Sequence, residues 1–350
     1  MNAVDQQGRL VKARSSLPSA GPLSELIGAL LSAPPDSASL TPAELAETVA
    51  TLLERVKDPI GDDDLQLALY LCYELHYRSF AGIHPAWEWD PALLAARAQL
   101  ETAFFGCLDE KLAGQPIEPE DVGDIIFRLE AEEQWAALSR HLQNGAEREE
   151  FRELLVHRSF YRLKEPDPHS WAIPRLSGPP QAALTKMLGE EYGAGHSERM
   201  HARLFAGTMR ALDLDDGENA YVGHAPGISL ATVNLISGLG LHRSRRGAVV
   251  GHLAMLRLAS AQISRRYSEG LRRLGFDLGA TDVYDEHVED GASHENFAAY
   301  ELAGGLARQE PKLAADIVFG ARALLYLEDR FARRLLTAWE NGETSLRKRL

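Results

Sequence analysis

The sequence predicts an all-α protein, because helix-start signals and helical spacing recur along it while strand alternation is nearly absent. LTPAELAETVATLLERV combines these signals: Thr41 is the N-cap, Pro42 takes the first helical position and Glu44 closes a capping box. Its apolar side chains, from Leu45 to Val56, recur at helical spacing. Asp62 to Asp64 and Asp90-Pro91 start two further helices in the same way. The remaining candidates complete about ten helices, at residues 119–142, 147–163, 179–191, 197–212, 226–240, 243–273, 281–307 and 311–340.

The first 60 residues differ in composition from the rest of the chain. SSLPSAGPLSELIGALLSAPPDSASL is rich in Pro, Ser and Ala around one short amphipathic stretch. We therefore expect a flexible arm over residues 1–20, a helical extension over 21–60 and a main domain over 61–345.

Composition excludes several classes of protein. The 350 residues are 45% apolar, which is enough for a core, and 37 Lys and Arg against 51 Asp and Glu give a net charge of −14. This balance disfavours a nucleic-acid partner, which needs clustered cations. Cys72 and Cys107 are the two cysteines, too few for a disulfide framework or a thiolate metal cage. Without a signal peptide or an apolar spanning segment, the sequence predicts a cytoplasmic protein with no membrane partner.

One acidic stretch near the C-terminus, YDEHVEDGASHENFA, offers metal-binding side chains. If a helix begins at Thr281 as N-cap, His287 and His294 lie about 20° apart on one face, with Asp290 about 60° from His287. Imidazole and carboxylate together suit Fe, Zn or Mn. A solvated acidic helix that carries two histidines explains these residues equally well.

A second stretch, LGEEYGAGHSERMHARLF, carries Glu191, His196, Glu198 and His201. Glu198 and His201 have the Glu-x-x-His spacing of ferritin-like carboxylate sites. The alternative is a glycine-broken loop with Glu198 in the first turn of the next helix.

Other residues have plainer interpretations. Glu165 precedes Pro166 at a helix end, where a surface charge is the default. His76 and His252 lie on mostly apolar helices and are predicted to be core or pocket histidines. Phosphate-loop, dinucleotide-binding and GxSxG motifs are missing from the sequence. Histidines and carboxylates on several helices of a large all-α chain point instead to a metal site inside a bundle.

Five segments in order resemble the iron-containing redox enzyme family, a branch of the haem-oxygenase-like diiron oxidases and oxygenases: KEPDPHSWAIPRL, EEYGAGHSERMHARLFAGTMRALDLD, ATVNLISGLGLHRSRRGAVVGHLAML, RRYSEGLRRLGF and YDEHVEDGASHE. The resemblance spans about residues 65–340. It implies a haem-oxygenase-like helical bundle that binds non-haem iron, with the N-terminal extension outside it.

The resemblance also implies a set of metal ligands. The family's two glutamates fall on Glu165 and Glu191, and the histidine ten residues after the second falls on His201. The family's last metal helix carries His-x3-Asp-x2-His, whose histidines fall on His287 and His294. The aspartate position is Gly291 here; Asp290, one residue earlier, is rotated by about 100° on an ideal helix. Asp290 completes the expected set only through a local distortion of the helix at Gly291.

The function that the resemblance implies is O2 activation by Fe(II), with two ions per chain and O2 as co-substrate. Similar enzymes act on small amine- or amino-acid-derived substrates by N-oxygenation, desaturation or C–C cleavage. Arg257 or Arg265 is a candidate for binding a substrate carboxylate. An external electron donor and a homodimer are both compatible with this interpretation.

Two alternatives to this function stay open. Gly291 favours a degenerate member with an incomplete second iron site that serves as a binding or partner protein. A haem-degrading enzyme needs an early proximal histidine, for which His76 is the candidate.

Overall fold

A computed structural model describes residues 17–37, 39–131, 136–289 and 296–350, and no described residue lies in a β-strand. The predicted all-α class is confirmed. The chain divides into two compact units, Met1–Phe105 and Gly106–Leu350. The predicted boundaries at residues 20, 60 and 345 stay predictions.

The helices of the first unit are α1 (Pro22–Leu31), α2 (Pro42–Leu53), α3 (Asp63–Glu74) and the start of α4 (Pro91–Lys111). Their predicted start signals operate as expected. Thr41 Oγ1 accepts from Glu44 N at 3.3 Å, and Glu44 Oε2 accepts from Thr41 N at 2.8 Å. Asp62 accepts from Leu65 N at 2.8 Å, and Asp90 accepts from Leu93 N at 2.9 Å. Side-chain caps of this kind satisfy backbone N–H groups that have no partner within the helix.

The second unit contains the remaining helices. They are α5 (Val122–Ala131), α6 (Ala137–Asn144), α7 (Arg148–Arg162), the single turn α8 (Asp167–Ser170), α9 (Gly178–Glu191), α10 (His201–Ala211), α11 (Gly227–Leu241), α12 (Arg246–Arg273), α13 (Leu278–Glu289), a π-helical segment (Phe297–Gly304), α14 (Gly305–Gln309) and α15 (Ala314–Glu340). Among the described residues, no helix is both long and apolar enough to cross a membrane.

Two glycines let α12 and α15 approach each other closely. A Cβ atom on Gly251 would lie 1.7 Å from Ile317 O, and one on Gly320 would lie 2.0 Å from Ala248 O. Any larger side chain at either position would push the helices apart, because a packed interior has no space to absorb it. Both helices carry polar residues inside the unit: His252 and Arg257 on α12 are buried, and Glu328 on α15 lines a cavity.

Two predicted helix starts are wrong. Helix α13 begins at Leu278, and Thr281 lies inside it with its hydroxyl donating to Asp285 Oδ2 at 2.7 Å, so Thr281 is not the N-cap. Ser197–Arg199 is a separate 3₁₀ turn and Met200 is extended, so Glu198 and His201 do not share a helix. Spacing along the sequence gives a common face only when the helix is continuous.

Candidate metal centre

Three of the predicted ligands lie together in the interior of the second unit. Glu165 lies in the turn after α7, His201 is the first residue of α10 and His287 lies on α13. One ligand atom from each residue lies within 4.8 Å of the other two. All three side chains are buried, with exposed fractions of 3%, 1% and 4%. We call these residues the three-donor cluster.

A glycine turn positions His201 at this cluster. Gly193, Ala194 and Gly195 have φ of +74°, +51° and +90°, in the left-handed region that glycine adopts most readily. A Cβ atom on Gly193 would lie 2.8 Å from Met200 N, so the chain folds tightly back on itself here. The turn ends α9 after Glu191 and starts α10 at His201.

Hydrogen bonding fixes the orientation of the His287 ring. Its Nδ1 lies 2.6 Å from Val283 O, and since a carbonyl only accepts, Nδ1 carries the hydrogen. Nε2 therefore presents a lone pair to the cluster, where it faces Arg162 Nη1 at 3.2 Å. A backbone carbonyl that holds the second ring nitrogen in this way is typical of histidines that ligate metals.

Both histidines of the cluster are neutral at pH 7. Burial, the nearby His201 and Arg162 keep the pKa of His287 well below its ordinary value. Burial lowers the pKa of His201 to about 4, although Glu165 opposes the shift. His201 Nδ1 is buried and has no hydrogen-bond partner within the described part of the chain. A neutral imidazole is the form that binds a metal ion.

Glu165 is held by two neighbours that the sequence did not single out. Arg162 Nη1 donates to its Oε2 at 2.6 Å, and the Tyr161 hydroxyl donates to its Oε1 at 3.2 Å. Burial raises the pKa of Glu165, but Arg162 and His201 lower it further, so the net shift is downward. The default expectation of a surface charge at this helix end is wrong, because the turn after α7 leads inward.

Glu191, the last residue of α9, is also buried but lies outside the three-donor cluster. Its Oε1 lies 2.6 Å from Arg257 Nη2, without hydrogen-bond geometry, and neither carboxylate oxygen has a hydrogen-bond partner among the described residues. Burial raises the pKa of Glu191 to about 7, although Arg257 opposes the rise. A buried oxygen without a hydrogen bond is uncommon in a folded protein, which makes Glu191 Oε2 a candidate to bind a ligand.

The predicted ligands Asp290 and His294, and Gly291 between them, lie outside the described residues. Their roles stay predictions. Outside the cluster, His196 and Glu198 are exposed and lie 3.6 Å from each other, which removes both from the interior.

The two histidines predicted to be core or pocket residues are buried. His252 Nδ1 lies 3.1 Å from His169 Nε2, and His169 Nδ1 lies 3.5 Å from the Tyr161 hydroxyl. His76 pairs with Arg97 at 2.6 Å between Nη1 and Nε2. Neither His76 nor His252 belongs to the three-donor cluster.

A cavity of about 90 Å³ shares a wall with the cluster, since Tyr161 and Arg162 line it. Its lining is mostly apolar, contributed by α7, α11, α12 and α15. Within it, Arg158 and Glu328 form a two-pronged ion pair at 2.7 and 2.5 Å. They keep 21% and 22% of their side-chain surface open. A cavity that joins apolar walls to a few fixed polar groups is typical of small-molecule sites.

Comparison with known proteins agrees with this geometry. Residues 152–329, just over half of the chain, match the profile of a family described as iron-containing redox enzymes. The chain belongs to this family. Its class is therefore that of an iron-dependent oxidoreductase, and its all-α architecture is consistent with the haem-oxygenase-like fold that the sequence predicted.

The chain also resembles one curated protein, a nitrosourea synthase from Streptomyces achromogenes subsp. streptozoticus. The two are 25% identical over 191 residues, which are 53% of this chain and 40% of the relative. The chain thus spans less than half the length of that relative.

Proposed function

We propose that the chain is an O2-activating non-haem iron enzyme that oxidises a small amine- or amino-acid-derived substrate. The observation that carries this proposal is the three-donor cluster: two neutral imidazoles and a carboxylate, buried, with their ligand atoms within 4.8 Å of one another. Imidazole and carboxylate ligands with open positions suit non-haem Fe(II).

The proposed ligands are Glu165, His201 and His287 for the core of the site, with Glu191, Asp290 and His294 completing a centre for two Fe(II) ions. Support for a larger centre comes from two buried ligand atoms without a hydrogen-bond partner among the described residues, His201 Nδ1 and Glu191 Oε2. When bound, iron supplies the binding and reduction of O2. The protein supplies the ring orientation through Val283 O and excludes water by burial.

The net charge of the buried side chains limits which ligands the site can bind. Glu165 and Glu191 are opposed by Arg162 and Arg257, and the neutral histidines add nothing. These residues are therefore close to neutral as a set, and a dication would leave a buried excess of positive charge. A further carboxylate from Asp290, or an anionic group of the substrate, offsets that excess.

The 90 Å³ cavity is the proposed substrate site. Glu328 offers an acceptor for an ammonium group and Arg158 a donor for a carboxylate; both line the cavity, and neither side chain is fully buried. Of the two arginines singled out in the sequence, Arg265 is exposed and Arg257 is buried beside Glu191, so Arg257 is the one that stays a candidate for carboxylate binding. Opposite charges in an apolar cavity suit an amino-acid-derived substrate.

Among the three reaction types, N-oxygenation is the one we favour. A nitrosourea contains a nitrogen–oxygen bond, and a relative of this chain is named for making one. The match covers 40% of that relative, so the preference for N-oxygenation rests on sequence similarity to part of its length.

The test is anaerobic loading with Fe(II), followed by iron analysis and an absorbance trace after O2 is admitted. About two irons per chain and an O2-dependent absorbance change are expected. His196→Ala serves as the matched control, because that imidazole is exposed. One iron or fewer with no response to O2 would favour the alternative of a degenerate binding or partner protein.

A further inference from the structure

A second set of polar residues in the same unit, three of them buried, plays no part in the proposed iron site. Glu153 and His157 lie on α7, Ser229 lies on α11 and Ser345 follows α15. His157, Ser229 and Ser345 are 2%, 1% and 0% exposed. Consecutive members lie within hydrogen-bond distance: Glu153 Oε2 to Ser345 Oγ at 2.6 Å, Ser345 Oγ to His157 Nε2 at 2.8 Å and His157 Nδ1 to Ser229 Oγ at 2.7 Å.

The Glu153 carboxylate sets the direction of these hydrogen bonds. Its oxygens accept from Ser345 N at 2.8 Å, Ser345 Oγ at 2.6 Å, Trp339 Nε1 at 2.8 Å and Thr344 Oγ1 at 2.5 Å. Four converging donors require the ionised form, which accepts only. The single hydroxyl hydrogen of Ser345 is therefore donated to Glu153.

The direction then propagates inward. Because Ser345 has donated its hydrogen, its oxygen accepts from His157, so Nε2 of His157 carries the ring hydrogen. Nδ1 is left as an acceptor, and the Ser229 hydroxyl donates to it. In each hydrogen bond of this series, the donor therefore lies on the Ser229 side and the acceptor on the Glu153 side.

His157 is a neutral ring in this arrangement. Burial, Arg158 on α7 and Arg334 on α15 keep the pKa of His157 well below its ordinary value. Such a ring can take up a proton at one nitrogen as it gives one up from the other, and it changes tautomer in doing so.

The two ends of this hydrogen-bonded series line different cavities. Ser229 and His157 line the 90 Å³ cavity, together with Glu328. Glu153 lines a cleft of about 510 Å³ at the other end, whose lining includes the exposed Glu147 and Glu149. The hydrogen bonds therefore join the interior cavity to a cleft that meets solvent.

We propose that Ser229, His157, Ser345 and Glu153 form a proton relay that removes a proton from a protonated amine bound in the cavity. This proposal rests on the proposed function, from which it takes the amine substrate. Ser229 Oγ, with its hydrogen committed to His157, faces the amine as an acceptor.

The transfer conserves protons at each step. The amine N–H breaks as Ser229 Oγ gains that proton, and the original Ser229 proton passes to His157 Nδ1. The Nε2 proton of His157 passes to Ser345, and the Ser345 proton passes to Glu153 Oε2. Glu153 then releases the proton to water in the cleft.

The pKa values involved allow the bound amine to lose its proton at neutral pH. An alkylammonium group has a pKa near 10 in water, about that of lysine, and burial of an amine lowers it by up to about 3–5 units. Glu328 in the same cavity is already paired with Arg158, so the pair adds little net charge beside the amine. The buried amine is then close to its neutral form at pH 7. Since an oxidation at nitrogen needs the amine lone pair, the relay supplies the reactive form of the substrate.

The first test reads the direction of the relay without any metal or substrate. Long-range ¹H–¹⁵N spectra of ¹⁵N-histidine-labelled protein should show His157 as the Nε2–H tautomer, assigned by the signal that disappears in His157→Gln. Finding the Nδ1–H tautomer would overturn the proposal, because Ser229 would then have no acceptor in the relay.

The second test follows proton release when propylamine binds to the protein, by stopped flow with a pH indicator. We expect wild-type protein to release about one proton per propylamine bound at pH 7. Ser345→Ala and Ser229→Ala should slow the release on the order of 10²-fold while leaving the final amount unchanged. A purely structural role for these serines would alter the amount bound rather than the rate.

Ser139→Ala is the matched control, since Ser139 also lines the cavity but its hydroxyl donates to Ala136 O, outside the relay. Equal rates of proton release in all variants would overturn the relay, and so would an absence of propylamine binding. Neither result would bear on the iron chemistry. Failure of the proposed function is distinguishable, because it appears as a lack of iron and O2 reactivity in protein that still releases the proton.

Discussion

Each of the two units buries a cluster of carboxylate, arginine and histidine, and the clusters differ in whether they close on themselves. In the first unit, Arg97 lies 3.1 Å from Glu101 and 2.6 Å from His76, and Tyr73 donates to Glu101 at 3.0 Å. His76 Nδ1 and Arg97 Nε are buried without a hydrogen bond among the described residues, but each lies beside a carboxylate: Nδ1 is 3.5 Å from Glu88 and Nε is 3.1 Å from Glu101.

The cluster of the second unit stays open. Glu191 Oε2 and His201 Nδ1 are buried and have no hydrogen-bond partner in the described ranges. Leaving such a group without a partner costs about 1–3 kcal/mol. We therefore expect the closed cluster to contribute to folding and the open cluster to bind a ligand.

The largest expected effect comes from removing an imidazole of the open cluster. His201→Ala should reduce Fe(II) affinity by more than the 10–100-fold typical of losing an outer partner, because it removes a ligand and leaves Glu165 and His287 alone. Iron per chain after desalting measures this loss. His196→Ala should bind iron as wild type does; equal loss in both variants would show that the ligand assignment is wrong.

The closed cluster should respond in stability instead. Glu101→Gln leaves Arg97 without its carboxylate, in a pair whose side chains are 12% and 10% exposed, and should cost about 3 kcal/mol of unfolding free energy. Urea unfolding measures the cost, and iron per chain should not change. A drop in iron content would contradict the distinction between the two clusters.

Arg162 lies against two ligands of the open cluster. Its guanidinium occupies Glu165 Oε2 at 2.6 Å and faces His287 Nε2 at 3.2 Å, so it opposes a cation at the cluster. Arg162→Gln should tighten Fe(II) binding about tenfold, equivalent to about 1.4 kcal/mol. Thermal unfolding with and without anaerobic Fe(II) measures this as a larger stabilisation by the metal than in wild type. A smaller stabilisation would mean that Arg162 supports metal binding.

The smallest expected effect is that of Tyr161→Phe. The change removes one hydrogen bond to Glu165, worth about 1 kcal/mol, and should weaken Fe(II) binding about fivefold without abolishing it. Competition with a chelator of known affinity measures the difference. Loss of all bound iron would instead make Tyr161 a ligand.

The sequence predicted the helices, because caps such as Thr41 and Asp62 act locally and were visible as short patterns. It predicted most of the cluster through family resemblance, since Glu165, His201 and His287 come from three separate segments. Their spacing alone left a solvated helix as an equal alternative.

Tertiary packing explains what the sequence did not reveal. Glu165 looked like a surface charge, and its burial depends on where the turn after α7 leads. Arg162, Tyr161 and the relay from Ser229 to Glu153 carry no motif, because residues up to 192 positions apart meet only in the folded chain. The pairing of Glu198 with His201 failed because a 3₁₀ turn and an extended residue interrupt the assumed helix.

The central claim is that the open cluster binds iron. The most direct measurement is an anomalous difference map at the iron edge, from crystals of the Fe(II)-loaded protein grown without O2. The map should show a peak within bonding distance of Glu165, His201 and His287, with a second peak toward Glu191 if the centre holds two ions. Iron bound elsewhere in the chain, with these three side chains still without metal, would contradict the claim.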